Sequence, residues 1–186
     1  MEGLTVHFIH EKSGVPGAIP LVLLHGWPGS FLEFLPVITK LREKAVTTAG
    51  KSVTFDVVVP SLPGFAFSSA PPVNWTVDDT ARILHTLMTE ALGYKTFSVH
   101  GTDWGSAVAY SLYANFNTSV RAAHFAFLPF LPLLSEDLAT QNITLSPLEQ
   151  LEVKNSDPWV TTGSGHFLEQ KTKVVITVST RILVYR

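Results

Sequence analysis

The apolar residues of this chain fall into short continuous runs that alternate with stretches of helical periodicity. Leu21–Leu24 and Val53–Val59 are runs of the first kind, and such runs are typical of parallel strands covered on both faces. Tyr94–Val99 and Arg121–Phe130 repeat the pattern. Leu4–His10 alternates loosely, which is typical of an outer strand. The pattern predicts a sheet built from these segments.

Helical periodicity fills the intervals between the predicted strands. Ser30 and Glu33 have the spacing of a capping box, and the apolar repeat that follows predicts a helix to about Glu43. Further helices are predicted at Thr76–Gly93 and Ala107–Phe116. Strands that alternate with helices favour a parallel sheet, so the predicted fold class is α/β.

Composition and charge exclude several classes of protein. The 186 residues carry a net charge of −2, with charged side chains scattered singly, so we expect no nucleic-acid binding. No apolar stretch approaches the roughly 18 to 20 residues of a membrane span, and no signal pattern opens the chain. We therefore expect a soluble cytoplasmic protein. The absence of cysteine excludes disulfides and thiolate catalysis.

The run His100–Ser106 carries the strongest chemical signal. It places Asp103 at a sharp turn between a predicted strand and a predicted helix, where many hydrolases carry a serine. Gly101 and Gly105 flank it, as a tight turn without room for a Cβ requires. An aspartate that begins a helix is also a common N-cap. The two glycines favour a carboxylate nucleophile over that simpler interpretation.

Two loops and one irregular segment complete the candidate chemistry. The loop Pro60–Ser68 is dense in turn formers and aromatic residues, which is common for a site loop. Its Phe65 and Phe67 would line a pocket or simply pack. The stretch Leu131–Asp157 loses periodicity and gains polar residues, so a lid is expected to begin there.

Three motifs together resemble one family. They are His25-Gly26-Trp27-Pro28-Gly29-Ser30, Pro63-Gly64-Phe65 and Gly101-Thr102-Asp103-Trp104-Gly105-Ser106. They resemble the epoxide hydrolase family of the α/β-hydrolase fold, specifically its microsomal-type branch, from about Gly3 to Thr172. The resemblance implies an α/β-hydrolase core with a mostly parallel sheet, helices on both faces, and an incomplete C-terminal side.

The resemblance also divides the chain. It implies the N-terminal part of the catalytic core over residues 1–130, the start of a lid over 131–172, and a divergent tail over 173–186. In the family, a histidine and an acid in the C-terminal part of the catalytic domain activate water. This branch also carries an additional N-terminal segment. We therefore expect a chain truncated at both ends, without the water-activating pair.

By resemblance, the reaction is a two-step hydrolysis of an epoxide to a diol. Asp103 would attack an epoxide carbon to form an ester, which water then cleaves. A carboxylate is ionised at neutral pH and needs no base to activate it. The backbone N–H groups of Trp27 and Trp104 would form the oxyanion hole. Supporting or pocket-lining roles are implied for His25, Gly26, Pro28, Phe65 and His166. No cofactor or metal is implied, and the partners are a small epoxide and water.

His166 stands where the family carries a lid tyrosine that donates a hydrogen bond to the epoxide oxygen. The other histidines lie on predicted strands or helices, and we expect structural roles for them: His7, His10, His85, His100 and His124.

Two alternatives to an epoxide hydrolase remain open. A haloalkane dehalogenase shares the aspartate and the tryptophan after it, but it usually has asparagine where this chain has Trp27. A noncatalytic fragment is favoured by the missing histidine and acid.

Overall fold

The computed structural model describes residues 1–127, 133–141 and 143–165. The chain separates into two compact units, Met1–Pro129 and Phe130–Arg186. Within the described ranges no helix has both the length and the apolar character needed to cross a membrane. The assignment of these units to a catalytic core, a lid and a tail stays a prediction.

The first unit contains a five-stranded sheet within residues 1–127. Its strands and those of a separate short hairpin are β1 Phe8–Glu11, β2 Ile19–Leu24, β3 Ala45–Val46, β4 Ser52–Val53, β5 Phe55–Pro60, β6 Phe97–Gly101 and β7 Val120–Phe125. The order in the sheet is β1-β5-β2-β6-β7. β1 runs antiparallel to β5, and the other pairs are parallel. The predicted, mostly parallel sheet is confirmed.

Helices cover both faces of this sheet. They are α1 Leu35–Arg42, α2 Val77–Thr86 and α3 Trp104–Asn115. Because neighbouring strand residues point to opposite faces, the buried runs of β2 and β5 feed two cores. Val22, Leu24 and Val58 pack in the core that includes α2 and α3, whereas Leu21, Leu23, Val57 and Val59 pack with Ile38 of α1. This double burial explains why the strands are apolar throughout.

The first strand begins later than the sequence pattern indicates. β1 starts at Phe8 rather than Leu4. The backbone N–H groups of Thr5 and His7 instead donate to the side chains of Ser69 and Ser68, 3.0 Å away in each case. The serine side chains of a distant loop thus accept the hydrogen bonds that a longer strand would have formed with its neighbour. The periodicity of the sequence does not predict these contacts.

The first helix also differs from its prediction. A 3₁₀ turn over Phe31–Phe34 precedes α1, and Ser30 accepts a hydrogen bond from Leu32 N–H. The Glu33 side chain lies against Gly29 instead of closing a capping box with Ser30.

The second helix follows its prediction more closely. Thr76 and Asp79 form a reciprocal capping box at the start of α2. A π-helical turn over Leu87–Ala91 extends it, and Gly93 follows at φ +76°, a left-handed conformation that glycine adopts without steric penalty.

The second unit contains two described α-helices, α4 Ser135–Thr140 and α5 Pro147–Pro158, and a π-helical turn over Trp159–Gly163 continues α5. Ser146 and Glu149 form a capping box at the start of α5. The Ser135 hydroxyl donates to the Asp157 carboxylate at 2.6 Å and joins the two helices. This part of the chain, predicted only as a stretch without periodicity, therefore contains two helices within its described ranges.

Candidate active site

Asp103 lies at the turn between β6 and α3 in a strained backbone conformation. Its φ and ψ are +49° and −125°, in a region that disfavours residues with a Cβ. Thr102 N–H donates to Leu24 O at 3.0 Å, and Ser106 N–H donates to Asp103 O at 2.9 Å. Backbone hydrogen bonds on both sides therefore hold the conformation in place.

The turn is packed so closely that its two glycines cannot carry side chains. A Cβ on Gly105 would collide with the carbonyl oxygens of Leu24 and His25, and a Cβ on Gly101 would collide with the Gly105 carbonyl. The buried Ser106 hydroxyl donates to Gly101 O at 2.7 Å. These contacts press the start of α3 against the end of β2 and present Asp103 at the crest.

The Asp103 carboxylate points toward the loop after β2. Its Oδ1 accepts a hydrogen bond from Trp27 N–H at 2.7 Å. Asp103 occupies the N-cap position of α3, but its side chain makes no capping hydrogen bond there. The carboxylate is half-buried. The hydrogen bond from Trp27, 76 residues away in sequence, orients it. A simple N-cap role does not account for this arrangement.

His25 supports this loop from beneath. It is fully buried, its Nδ1 lies 3.1 Å from Gly26 O, and its Nε2 lies 3.1 Å from Leu62 N–H. The amide must donate, so Nε2 accepts and Nδ1 carries the proton that it donates to Gly26 O. Burial lowers the pKa of the His25 imidazole. A neutral imidazole thus bridges the loops that follow β2 and β5.

The loop after β5 is held by a second set of polar contacts. Ser61 is fully buried, and its hydroxyl lies 2.8 Å from His7 Nδ1. The Ser68 hydroxyl donates to Ser61 O at 2.7 Å. Phe65 is half-buried and packs edge-on against the His25 ring, with 5.1 Å between centroids. Phe67 is 70% exposed and packs edge-on against the His7 ring, with 5.1 Å between ring centroids.

The structure brings together several of the residues that the sequence singled out. Asp103, Trp27 and Gly26 are in immediate proximity. Trp104 is the first residue of α3, while Pro28 is exposed after a cis peptide bond. His166 lies outside the described residues. The roles of all these residues in catalysis stay predictions.

Two residues within the predicted site loop and motifs have roles that the sequence did not predict. Leu62 supplies the amide that fixes His25, and no sequence pattern marks a backbone donor. Ser106 fixes the turn through its hydroxyl. Its place within the Gly105-Ser106 pair, directly after the candidate nucleophile, was the available signal.

The described histidines are all engaged away from Asp103. His7 bonds with Ser61, His10 with Tyr94, His25 with the loops described above, His85 with Ser119, and His100 with His124. In the described part of the chain, no group of three or more His, Asp or Glu side chains is arranged to hold a metal ion. The chemistry available at this turn is that of an oriented carboxylate.

Comparison with known families agrees with this geometry. The family described as alpha/beta hydrolase fold matches residues 19–138, which include β2, the Asp103 turn and β7. The chain belongs to the α/β-hydrolase fold family. The family described as epoxide hydrolase N terminus matches residues 1–34.

Individual relatives of this α/β-hydrolase are epoxide hydrolases. Juvenile hormone epoxide hydrolase 1 of Ctenocephalides felis is 38% identical over 67% of this chain and 27% of its own length. Epoxide hydrolase 1 of Oryctolagus cuniculus is 37% identical over 67% of this chain and 28% of its own length. A relative from Stigmatella aurantiaca is 36% identical over 93% of this chain and 38% of its own length.

Solved structures give the same result. The Aspergillus niger epoxide hydrolase superposes with a TM-score of 0.67 and 33% identity, over 93% of this chain and 44% of that one. The juvenile hormone epoxide hydrolase of the silkworm Bombyx mori superposes with a TM-score of 0.60 and 35% identity, over 67% of this chain and 33% of that one. The predicted resemblance to epoxide hydrolases is confirmed. The α/β-hydrolase chain described here spans less than half the length of these proteins.

Proposed function

We propose that this α/β-hydrolase opens an epoxide ring through an ester formed on Asp103. The observation that carries the proposal is the 2.7 Å hydrogen bond from Trp27 N–H to Oδ1 of Asp103. It leaves Oδ2 as the attacking atom. It also places a hydrogen-bond donor on Oδ1, where negative charge develops when the ester is hydrolysed. The names of the epoxide hydrolases similar to this chain support an epoxide as the substrate class.

The first step forms one bond and breaks one. Oδ2 of Asp103 attacks a ring carbon, the C–O bond to the ring oxygen breaks, and that oxygen takes a proton from solvent water, which leaves a hydroxide ion. The product is a 2-hydroxyalkyl ester of Asp103. A carboxylate suits this step because it is a nucleophile without prior loss of a proton. His166 stays the predicted pocket residue on the side of the ring oxygen.

The second step would add water to the ester carbonyl. The former Oδ1 becomes the oxyanion, which the N–H of Trp27 and, by proposal, that of Trp104 would stabilise. Removal of one such donor typically costs about 3 kcal/mol of transition-state stabilisation. The donor need not move during the reaction, because Trp27 already lies on Oδ1 in the resting carboxylate.

Hydrolysis of the ester also needs a group that takes a proton from water. Each of the six described histidines makes its hydrogen bonds to partners other than Asp103. We therefore propose that the described residues perform the alkylation half of the reaction. In this chain, the ester should form faster than it is hydrolysed.

The test is the intact mass of the purified chain after incubation with styrene oxide, together with an assay for the diol. We expect one adduct per chain, located on Asp103 by peptide mapping, and little diol. Asp103→Asn should form no adduct, whereas Asp137→Asn, at an exposed position of α4, should form as much as the wild type. An adduct that persists in Asp103→Asn contradicts the proposal. Steady diol production contradicts the assignment to the alkylation half alone, and bromide release from a bromoalkane favours the dehalogenase.

A further inference from the structure

A pair of histidines lies side by side on the sheet face that α1 partly covers. β6 and β7 are parallel, and their register pairs His100 with His124. The register shifts by one residue between Phe97 and Ser98, so that Ser98 pairs with Ala122. Without that shift, His100 would face Ala123. The bulge therefore creates the pair, and a sequence pattern based on strict alternation does not predict it.

The ring nitrogens of the pair converge. Nδ1 of His100 and Nδ1 of His124 are 2.8 Å apart. The rings stack with 4.8 Å between their centroids and 27° between their planes. His100 Nδ1 also lies 3.3 Å from His124 O. If both imidazoles are neutral, one proton lies between the two Nδ1 atoms. When that proton moves to the Nε2 atom of the same ring, both Nδ1 atoms can act as metal ligands.

Among the residues that the structure describes, the surroundings leave the pair open to a solvated ion. Both histidines line a groove of about 660 Å³ whose other walls are mostly apolar. His124 is exposed and His100 half-buried. Phe34 packs edge-on against the His100 ring at 5.9 Å and limits its rotation. Val37 and Leu41 of α1 add apolar walls to the same groove.

We propose that His100 and His124 form a two-histidine site for a divalent copper or nickel ion. At imidazole–metal bond lengths of about 2.0–2.1 Å, donors 2.8 Å apart subtend roughly 85° at the ion. That angle fits adjacent positions of the square-planar or octahedral geometries of Cu²⁺ and Ni²⁺ better than the wider angle of tetrahedral Zn²⁺. Water would complete the coordination. The site is separate from Asp103 and does not depend on the proposed epoxide chemistry.

The test is a titration of the full chain with Cu²⁺, read by calorimetry and by electron paramagnetic resonance. We expect one ion per chain with hyperfine structure from two nitrogens. Loss of one histidine removes the chelate, so His100→Gln and His124→Gln should each weaken binding about 100-fold. His10→Gln, which removes an imidazole on β1 that bonds with Tyr94, should bind Cu²⁺ as the wild type does.

Equal affinity in the wild type and in His124→Gln would overturn the proposal. So would an equal loss in His10→Gln, because adventitious binding to any histidine gives that result. His124 is exposed on the outer strand, so its variant decides the matter even where His100→Gln fails to fold. Styrene oxide should alkylate His124→Gln as fast as the wild type, which separates this test from that of the proposed function.

Discussion

Gly26 leaves no room for a side chain beside Asp103. A Cβ built on Gly26 would overlap the carboxylate and the Cβ of Asp103. The two residues follow the adjacent parallel strands β2 and β6, so their loops meet at the same edge of the sheet. The close approach is what lets the next amide, that of Trp27, reach Oδ1.

Substitution of Gly26 should therefore impair the site more than the fold. Gly26→Ala must displace either the loop or the carboxylate, and a misplacement of about 1 Å lowers reactivity about 100-fold. We expect styrene oxide to alkylate this variant about that much more slowly, as measured by intact mass over time. Gly50→Ala, in the hairpin between β3 and β4, is the control, since it strains a left-handed glycine away from Asp103 and a Cβ there meets no described residue within 4 Å. Equal rates in both variants would contradict the interpretation.

The Asp103→Gly variant should be more stable to unfolding than the Asp103→Ala variant. Its φ of +49° and ψ of −125° strain any residue with a Cβ. Asp103→Gly and Asp103→Ala both lose the carboxylate, so their difference isolates the backbone. We expect Asp103→Gly to have the larger free energy of unfolding, by about 1 kcal/mol, in urea denaturation.

The control for this comparison is an ordinary helical site. Ala114 lies exposed within α3, where Ala114→Gly should lower the free energy of unfolding by about 0.5–1 kcal/mol. Glycine is thus expected to give the larger free energy of unfolding at position 103, and alanine the larger one at position 114. The same order at both would mean that Asp103 is not strained.

Ser106 should contribute to stability by an ordinary amount despite its complete burial. Its hydroxyl donates to Gly101 O at 2.7 Å, but that oxygen also accepts from Ala126 N–H at 3.0 Å. Ser106→Ala therefore leaves no acceptor unsatisfied, and we expect a loss of about 1 kcal/mol in the free energy of unfolding. Ser52→Ala, at an exposed position of β4, should change it little. A loss several times larger in Ser106→Ala would show that the turn itself collapses.

The stability of the first unit should depend on the protonation of His25. Burial lowers the pKa of this imidazole below its ordinary value of 6.5, so the unfolded chain binds the proton more readily than the folded chain does. The contribution of the neutral form is then complete above about pH 6.5 and is lost as the pH falls below that value. Thermal unfolding measured from pH 8 to pH 5 should show a midpoint that decreases on the acidic side.

His25→Gln should make that decrease shallower, although it also lowers the midpoint at pH 8 by removing the contacts with Gly26 and Leu62. Burial lowers the pKa of His10 and of His85 as well, so part of the acid sensitivity should remain. A slope in His25→Gln that equals the wild-type slope would exclude His25 as a source.

Local chemistry was readable from the sequence wherever the interacting residues are neighbours in the chain. The capping box of Thr76 and Asp79, the left-handed Gly93 and the placement of Asp103 between two close-packed glycines are all of this kind. The apolar runs of β2 and β5 also predicted a sheet covered on both faces, because burial on both sides leaves no polar positions.

Only the tertiary structure decided which distant groups meet. The amide of Trp27 reaches Asp103 across 76 residues, and Leu62 reaches His25 across 37. Both donors belong to the backbone, which every residue carries. The family resemblance pointed to the amide of Trp27, whereas nothing in the sequence pointed to that of Leu62. The pairing of His100 with His124 depends on a one-residue bulge. The apolar runs and the helical periodicity of the sequence determined most of the elements of this α/β-hydrolase, whereas strand register and loop packing, which arise only when the sheet assembles, determined its sites.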